Sequence, residues 1–527
     1  MAKEDIEIEP VTDNPSINLA LDTVKIGKQA LVFLGTRPSS EKCAEEIAKR
    51  INFGAGKGDE IRNLSKVAEN VLRSLDSPTR QCERLSRCVR KGIAFHHSGL
   101  TGKQRELIEN NFRSGMIKVI CCTPTLAAGV DLPAFRAIIR DLKRFTQHGY
   151  DWIPVLEYHQ MSGRAGRPNF DSEGQSIIFA GSEGQAEELE GHFINGEPEE
   201  ILSKLSSEPV LRTYLLSLIA SRLVTNKQEI LSFFEKTFWA YQFKEMRQLE
   251  KRINKMLQLL ERWELIKSSD GSDFTSADDL DKGKIVATLL GSRVAELYID
   301  PLTAYNLIEG LKQAPYKGLT PFTLLQLISN TAELAPLLRV KVKEYEEVQN
   351  SLLEHQMNLL TREPSVFEAD YEEFLASVKT ALFFNGWIGE NTEEFLLEKY
   401  DIRPGEIRNK LSNADWLLYS LSELARILQL RQEVKEVAKL RSRVKYGVKE
   451  ELLPLLQLKN IGRVRGRKLF NNRIRTIADV KKADVSTLTQ VLGSGKVAID
   501  VKKQLGQEVK EVPQGKRKGQ TSMAKHI

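Results

Sequence analysis

Short apolar runs alternate with helical patterns in the first part of the chain. Runs of strand length lie at 29–34, 92–95, 118–122 and 175–180. Polar and apolar residues repeat with helical spacing at 39–51 and 104–112. Strands that alternate with helices form a parallel sheet whose functional loops lie at the strand ends. The pattern therefore predicts one parallel α/β domain within residues 1–199.

From about residue 200 the pattern is helical almost throughout. Residues 200–300 predict a compact helical module with one hairpin, whose turn is expected at 268–272. Successive amphipathic helices at 301–450 predict a helical bundle. A glycine-containing helical pair at 451–507 and a basic tail at 508–527 follow. The predicted fold class is multidomain, α/β followed by α.

The composition is that of a globular protein with several domains. The 527 residues suffice for three or four domains. Mean hydropathy is −0.33, and no apolar run approaches the roughly 18 residues of a membrane span. The first residues have no signal-peptide pattern. We therefore expect a cytoplasmic protein that does not cross a membrane.

Positive charge is concentrated at one end. Residues 459–527 hold 17 Lys and Arg against 5 Asp and Glu, whereas the whole chain has a net charge of only +6. Such a segment suggests a polyanionic partner, because phosphate contacts release counterions, although a solvated tail gives the same charge count. The five cysteines form no C-x-x-C pair, and His96 and His97 lack a third ligand at metal spacing. No metal site and no disulfide are predicted.

The sharpest chemical signal is the string Q-x-x-G-R-x-G-R at 160–167. Arg164 and Arg167 are three residues apart and share one helix face, while small residues such as Gly163 let that face approach another surface. A planar guanidinium group suits a phosphoryl group because it supplies charge and geometry together. Surface salt bridges would explain the two arginines but not the whole string that begins at Gln160.

A second string directly follows the strand predicted at 118–122. It combines the hydroxyl groups of Thr123 and Thr125 with Gly129 and the carboxylate of Asp131. These groups could hold a nucleic-acid phosphate on one side and a nucleotide on the other.

The string at 160–167 resembles motif VI of superfamily 2 helicases, and the string after the strand at 118–122 resembles motif V. Residues 33–37 and 95–100 resemble motifs IV and IVa. Their order and spacing, and a further match at 287–304, are similar to the archaeal Hjm/HelQ-type DNA repair helicases over nearly the whole chain. The resemblance implies a second RecA-like domain at 1–199 and a winged helix at 200–300. It also implies a bundle at 301–450, whose long helix guides single-stranded DNA, and a helix-hairpin-helix at 451–507.

The resemblance also implies roles for single residues. Arg164 and Arg167, assisted by Gln160, would act on the phosphates of ATP. Gly129, Asp131 and Gly163 would lie at the nucleotide. Thr36, Arg37, Thr123 and Thr125 would contact DNA.

The most informative departure from the family is the missing P-loop. No G-x-x-x-x-G-K-[ST] occurs, because Ile51 replaces the first glycine before Lys57 and Gly58 replaces the hydroxyl residue after it. No D-E-x-H or D-E-A-D box occurs either. We therefore expect ATP with Mg²⁺ to be used only together with a first RecA-like domain that is separately encoded or missing here.

Residues 139–154 lie between the two strings and predict a β-hairpin. Two basic and aromatic arms, which carry Arg144, Phe145 and Tyr150, flank Gly149. In the family a hairpin at this place separates strands, and rings that stack on the last base pair suit that task. An ordinary hairpin that packs both rings on a neighbour is an equal alternative.

The helix predicted at 406–428 has one core stripe, from Ile407 to Leu428, with spacings of four and three. Trp416 lies about 200° round the helix from Ala414 and is predicted to face away from that stripe, with Arg408 on the same side. In the family this helix carries an aromatic residue and basic residues, so Trp416 and Arg408 are predicted to contact DNA. The alternative is that another domain covers Trp416.

Residues 458–469 resemble a helix-hairpin-helix. Gly462 would let backbone N–H groups at a helix start meet a phosphate, and Asn460 can adopt the left-handed turn that precedes it. Together with the local positive charge, this predicts that Gly462, Arg463 and Arg465 contact single-stranded and forked DNA independently of sequence.

Two hypotheses from different classes follow. In the first, the chain is the C-terminal part of a 3′-to-5′ DNA helicase of repair or recombination that needs a first RecA-like domain. In the second, it is an ATP-independent DNA-binding remnant or accessory protein. The intact arginine string favours the first, because a pure binder has no evident use for it. A gene that is split or begins too late is a third alternative, and RNA is a weaker alternative to DNA.

Overall fold

The structure is a computed structural model that describes residues 7–51, 58–75, 77–146, 149–166, 171, 173–243, 246–268 and 283–507. Three features of the sequence lie outside these residues: Arg167, the near match to a P-loop before Gly58, and the basic tail at 508–527.

A parallel sheet organises the first domain. Its elements are α1 (Pro15–Lys25), β1 (Ala30–Phe33), α2 (Arg37–Arg50), α3 (Gly58–Leu72), α4 (Arg80–Val89), β2 (Ile93–His96), α5 (Gly102–Arg113), β3 (Val119–Cys122), β4 (Arg136–Ile139), β5 (Lys143–Thr146), β6 (Gly149–Trp152), α6 (Val155–Ser162), β7 (Gln175–Ile177) and α7 (Glu183–Leu189). Five strands form the sheet in the order β2-β3-β1-β4-β7, and all neighbours are parallel. The predicted α/β domain is confirmed.

Strand β4 was not among the strands predicted from the sequence. It begins with Arg136, which is buried and interrupts the apolar pattern. The guanidinium group of Arg136 donates to the carboxylate of Asp22 at 2.6 Å and to the side-chain carbonyl of Gln175 at 2.6 Å. A buried charge is tolerated when it is paired in this way.

The next elements form the winged-helix part of the fold. They are α8 (Glu208–Ala220), α9 (Lys227–Glu235), α10 (Phe238–Phe243), α11 (Met246–Arg262), β8 (Ile266–Ser268), β9 (Ile285–Ala287) and α12 (Leu289–Leu297). Strands β8 and β9 pair antiparallel, as the sequence predicted. The tip of that hairpin lies outside the described residues.

Helices make up the remainder of the described chain. The bundle consists of α13 (Pro301–Lys317), α14 (Pro321–Ser329), α15 (Tyr345–His355), α16 (Tyr371–Ile388), α17 (Glu393–Tyr400), α18 (Pro404–Ile427) and α19 (Arg431–Tyr446). It is followed by α20 (Arg463–Asn471), α21 (Ile477–Lys482), α22 (Val485–Leu492) and α23 (Gly495–Gln504). The winged helix and the bundle share one hydrophobic core, whereas the α/β domain and the C-terminal helices each have their own.

Helix α18 has 24 residues and begins with Pro404, whose fixed φ suits the first turn of a helix. Ile407, Ala414, Leu418 and Leu421 are completely buried, which confirms the predicted core stripe. Within the part of the chain that the structure describes, no helix combines the length and the apolar character that a bilayer crossing requires.

Candidate functional site

The loop after β3 and the turn after α6 are joined by backbone hydrogen bonds. Because α6 ends at Ser162, the prediction that Arg164 lies on a helix face is wrong. The N–H of Ala134 donates to the carbonyl of Arg164 at 2.9 Å, and the N–H of Gly166 donates to the carbonyl of Ala134 at 2.6 Å. The two strings that the sequence singled out, 122–134 and the described part of 160–167, therefore form one unit that reaches the start of β4.

The side chain of Arg164 reinforces this junction. Its Nε and Nη2 atoms both donate to the carbonyl of Ala127, and its Nη1 atom lies 3.6 Å from a carboxylate oxygen of Asp131. The carboxylate of Asp131 is 93% exposed. Arg164 thus ties the two strings together, while Asp131 is left open to a partner on the solvent side.

The other predicted nucleotide-site residues of these strings, Gly129, Gly163 and Gln160, differ in backbone conformation and exposure. Gly129 is exposed and has a φ of +89°, a conformation that a side chain would strain. Gly163 ends α6, and a Cβ atom there would lie 3.0 Å from the carbonyl oxygen of His159. Gln160 is exposed on α6.

The residues predicted to contact DNA through motifs IV and V follow neighbouring strands β1 and β3. The hydroxyl of Thr36 accepts from the N–H of Ser39 at the start of α2, so it caps that helix. The hydroxyl groups of Thr123 and Thr125 lie 2.9 Å apart. Because carboxyl ends of parallel strands meet at one edge, the hydroxyls of Thr36, Thr123 and Thr125 lie at the same edge of the sheet.

Sequence reasoning missed Asp141, which follows β4 at the same edge. Its carboxylate accepts from the N–H of Gly35 at 2.8 Å and from the guanidinium group of Arg140 at 2.8 and 2.6 Å. Asp141 therefore holds the loop that carries Thr36. An Arg-Asp pair inside a basic stretch gives little sign of this role in the sequence.

The hairpin predicted between the strings is present as β5 and β6. The strands pair antiparallel, and Phe145 lies opposite Tyr150. These rings are 81% and 72% exposed, so neither packs on a neighbouring element. Arg144 forms an ion pair with Glu157 at 2.8 Å. The alternative of an ordinary hairpin with both rings packed away is therefore wrong.

A groove of about 600 Å³ lies between the α/β domain and the part of α18 beyond its first turn. The α/β side supplies Arg37 and Arg105 together with the start of α5 at Thr101 and Gly102, and the α18 side supplies Arg408, Asn409 and Asn413. Arginine side chains thus line the groove from both sides, and residues 334–338 add an apolar part. Arg37 and Arg408 are paired there with Glu406 and Glu393, and the amide of Asn413 donates to the carbonyl of Glu333. Lys410 is not available there, because its Nζ atom donates to the carbonyls of Leu334 and Pro336.

Trp416 is not the free ring that the helical periodicity predicted. It is half-buried against the shared core, and its Nε1 atom donates to the carbonyl of Leu297 at 2.9 Å. The end of α12 covers one side of the ring, because the winged helix and the bundle pack together there. Stacking on a base through the remaining surface stays a prediction.

Arg408 and Arg463, which are both predicted to contact DNA, have protein partners in the bundle. Arg408 is half-exposed and donates to the carboxylate of Glu393 at 2.6 Å. Arg463 donates to the carbonyl of Asn391 at 2.6 Å and lies over the ring of Trp387 at 5.3 Å. Burial lowers the pKa of Arg463. Arg463 thus docks the C-terminal helices on the bundle, and its contact with DNA stays a prediction.

The turn at 460–462 has the backbone conformation and the exposure that the sequence predicted. Asn460 has a φ of +67°, the left-handed conformation predicted for it. Gly462 is the exposed N-cap of α20, which leaves the first N–H groups of that helix accessible. Arg465 donates to the carbonyl of Asn460 at 2.9 Å, which fixes the turn itself.

A parallel α/β domain in which these two strings meet, followed by a winged helix and a helical bundle, defines a helicase chain of superfamily 2. Family models agree with this class in three regions. Residues 73–169 match the helicase conserved C-terminal domain, 184–267 match a helix-turn-helix domain, and 322–447 match domain 4 of archaeal helicases.

Curated relatives specify the family. ATP-dependent DNA helicase Hel308 of Pyrococcus horikoshii is 40% identical over 507 residues, which cover 95% of this chain and 67% of the relative. The proteins of the same name from Methanocella arvoryzae and Caldivirga maquilingensis are 37% and 34% identical, with 94% of this chain and 65% and 66% of the relatives covered. The chain belongs to the Hel308 family and spans about two thirds of the length of these relatives.

Proposed function

We propose that the chain is the C-terminal part of an ATP-dependent 3′-to-5′ DNA helicase that acts on forked or branched DNA in repair or recombination. The observation that carries the proposal is the position of the groove. It opens at the carboxyl edge of the sheet, beside Arg37 and Thr101, and its other wall is α18. A single strand that follows this edge would meet arginine side chains on both sides, which suits contacts to phosphates.

The exposed pair of rings on the β5–β6 hairpin is the proposed strand-separating element. Aromatic faces stack on any base, so the hairpin needs no sequence preference. Trp416 and the start of α20 at Gly462 are proposed further contacts along the DNA. Phosphate contacts would dominate the affinity, so binding is expected to weaken steeply with salt.

ATP would supply the energy for movement. We propose that one face of the nucleotide meets Arg164, which lies beside the exposed carboxylate of Asp131, together with Arg167 and Gln160 from the same string. Among the described residues, no group of three His, Cys, Asp or Glu side chains is placed to hold a metal ion. We propose that Mg²⁺ is held with ATP by a first RecA-like domain, and that this chain neutralises charge on the phosphates.

The test is ATP hydrolysis stimulated by single-stranded DNA. The purified chain is measured alone and mixed with the first RecA-like domain of the Pyrococcus horikoshii relative. We expect hydrolysis only in the mixture and its loss with Arg167→Ala. If the mixture is silent while the chain still binds DNA, the ATP-independent binder is the correct description. Hydrolysis by the chain alone would contradict the need for a complementing domain.

A further inference from the structure

The α/β domain caps the first turn of α18. The N–H of Gly405 donates to the carbonyl of Gly99, in the loop after β2, at 3.0 Å. A Cβ atom on Gly405 would lie 2.4 Å from the carbonyl oxygens of both Ser98 and Leu100, so only glycine allows this approach. The first N–H groups of a helix have no partner within the helix. Here one of them is satisfied by another domain.

Two ion pairs flank this contact. The cation belongs to the α/β domain in one pair and to α18 in the other. Arg37, the first residue of α2, pairs with Glu406 in the first turn of α18. Arg403, the N-cap residue of α18, lies 3.4 Å from the carboxylate of Glu41 on α2. Each domain thus gives one cation and one anion, which fixes both the position and the direction of the helix start.

Glu41 is held in place before it meets Arg403. It is buried and accepts from the side-chain amide of Gln81 at 3.1 Å and from Arg84. The Nδ1 atom of His97 accepts from the N–H of Gly99, so the neutral ring carries its proton on Nε2 and donates it to Glu41 at 3.1 Å. Burial alone would raise the pKa of Glu41, but the bond from His97 and the charges of Arg403 and Arg84 hold it at about 2.

We infer that Arg37, Glu41, Arg403 and Glu406 fasten α18 to the α/β domain, so that the helix moves with that domain as one rigid body. Separation would take one of two cations away from the buried charge of Glu41, and Arg84 alone would then remain beside it, which is unfavourable. The four side chains are positioning residues. The consequence rests on the proposed function: any displacement of the α/β domain would carry the wall of the DNA groove with it, without a flexible link between them.

The inference can be tested by measuring one distance across the two domains. Spin labels on cysteines introduced at Arg113 of α5 and Asn350 of α15 report that distance by pulsed electron paramagnetic resonance. Both positions are exposed, and all five native cysteines are buried, so labelling is selective. The variants are Arg403→Glu, Glu406→Arg, and the charge-swapped pair Arg37→Glu with Glu406→Arg. Arg426→Glu, at the far end of α18, is the matched control because it reverses a charge on the same helix.

We expect one narrow distance for the unmodified chain and for the control. Both single reversals should lose that peak, and the swapped pair should recover it. Circular dichroism and the melting temperature show which variants are folded, and Glu406→Gln serves as a milder second variant. A narrow wild-type peak that survives in folded Arg403→Glu and Glu406→Arg overturns the inference, as does a folded swapped pair that stays broad. Failure of the proposed function would appear instead as absent DNA binding by the unmodified chain, which these distances do not involve.

Discussion

Phe145 and Tyr150 face each other across the β5–β6 hairpin, and both rings lie in solvent. Directly paired residues of antiparallel strands share one face, so the two rings form a single aromatic surface. The base of the hairpin is anchored, because the ring of Trp152 packs edge-on against the buried ring of Phe193, with the ring centroids 5.6 Å apart. An exposed aromatic surface on a fixed base suits the end of a duplex.

The rings are expected to matter for DNA that has a junction. The double variant Phe145→Ala with Tyr150→Ala should bind forked DNA about tenfold more weakly, because base stacking contributes ~1–3 kcal/mol per base. Affinity for a plain single strand should change little. Fluorescence anisotropy with the two substrates measures both values. Tyr316→Ala, which removes another exposed ring, is the control, and equal losses on both substrates would contradict a role at the junction.

Arg164 is expected to be sensitive even to a conservative change. Lysine keeps the charge but cannot direct two donors at the carbonyl of Ala127 while reaching Asp131. Arg164→Lys should lower the free energy of unfolding by about 1 kcal/mol. In the mixture with a first RecA-like domain it should reduce ATP hydrolysis more than about 100-fold. Urea denaturation and a phosphate-release assay measure the two effects, and unchanged hydrolysis would remove Arg164 from the nucleotide site.

Two variants of Trp416 test the role of its aromatic face and the role of its N–H group separately. Trp416→Phe keeps an aromatic face but loses the bond to the carbonyl of Leu297, so stability should fall by about 1 kcal/mol. If a base stacks on the ring, this variant should bind single-stranded DNA normally, whereas Trp416→Ala should bind at least about fivefold more weakly. Anisotropy and thermal denaturation distinguish the outcomes. Equal affinities for both variants would leave Trp416 with a packing role only.

Arg463 should affect docking more than DNA binding. Arg463→Ala removes the bond to Asn391 and the contact with Trp387, which together are expected to contribute roughly 1–2 kcal/mol. The C-terminal helices should then be cut faster in limited chymotrypsin digestion. Arg465→Ala is the matched control, because Arg465 bonds only within its own turn among the described contacts. A large loss of DNA affinity with unchanged digestion would instead support the predicted phosphate contact of Arg463.

The contribution of Glu41 should depend on pH in a defined direction. Its pKa is lowered from 4.5 to about 2, so its charge stabilises the folded state above pH 4.5. That stabilisation is lost progressively as the pH falls from 4.5 towards 2. Relative to Glu41→Gln, the native chain should be more stable by roughly 3 kcal/mol at neutral pH. Denaturation curves at several pH values check this, and a difference that persists unchanged at acid pH would exclude the ionised carboxylate as its source.

Local patterns predicted much of the architecture. Buried strands such as β1 and β3 are continuous apolar runs, and the core stripe of α18 follows the 3.6-residue repeat. The β5–β6 hairpin and the left-handed Asn460 also follow from residues that are neighbours in sequence. Strand β4 was not predicted, because Arg136 interrupts its apolar pattern. The charge of Arg136 can be buried since it finds partners on α1 and β7, which the local sequence does not show.

By itself, the sequence determined the parallel α/β domain, the helices after it, the motif strings and the family to which the chain belongs. Tertiary structure decided which polar side chains are free. The sequence predicted DNA contacts for Arg37, Trp416 and Arg463. In the structure each of them has a partner from a distant segment of the chain. The physical reason is that periodicity fixes the face on which a side chain lies, while its hydrogen-bond partner depends on how separate domains pack.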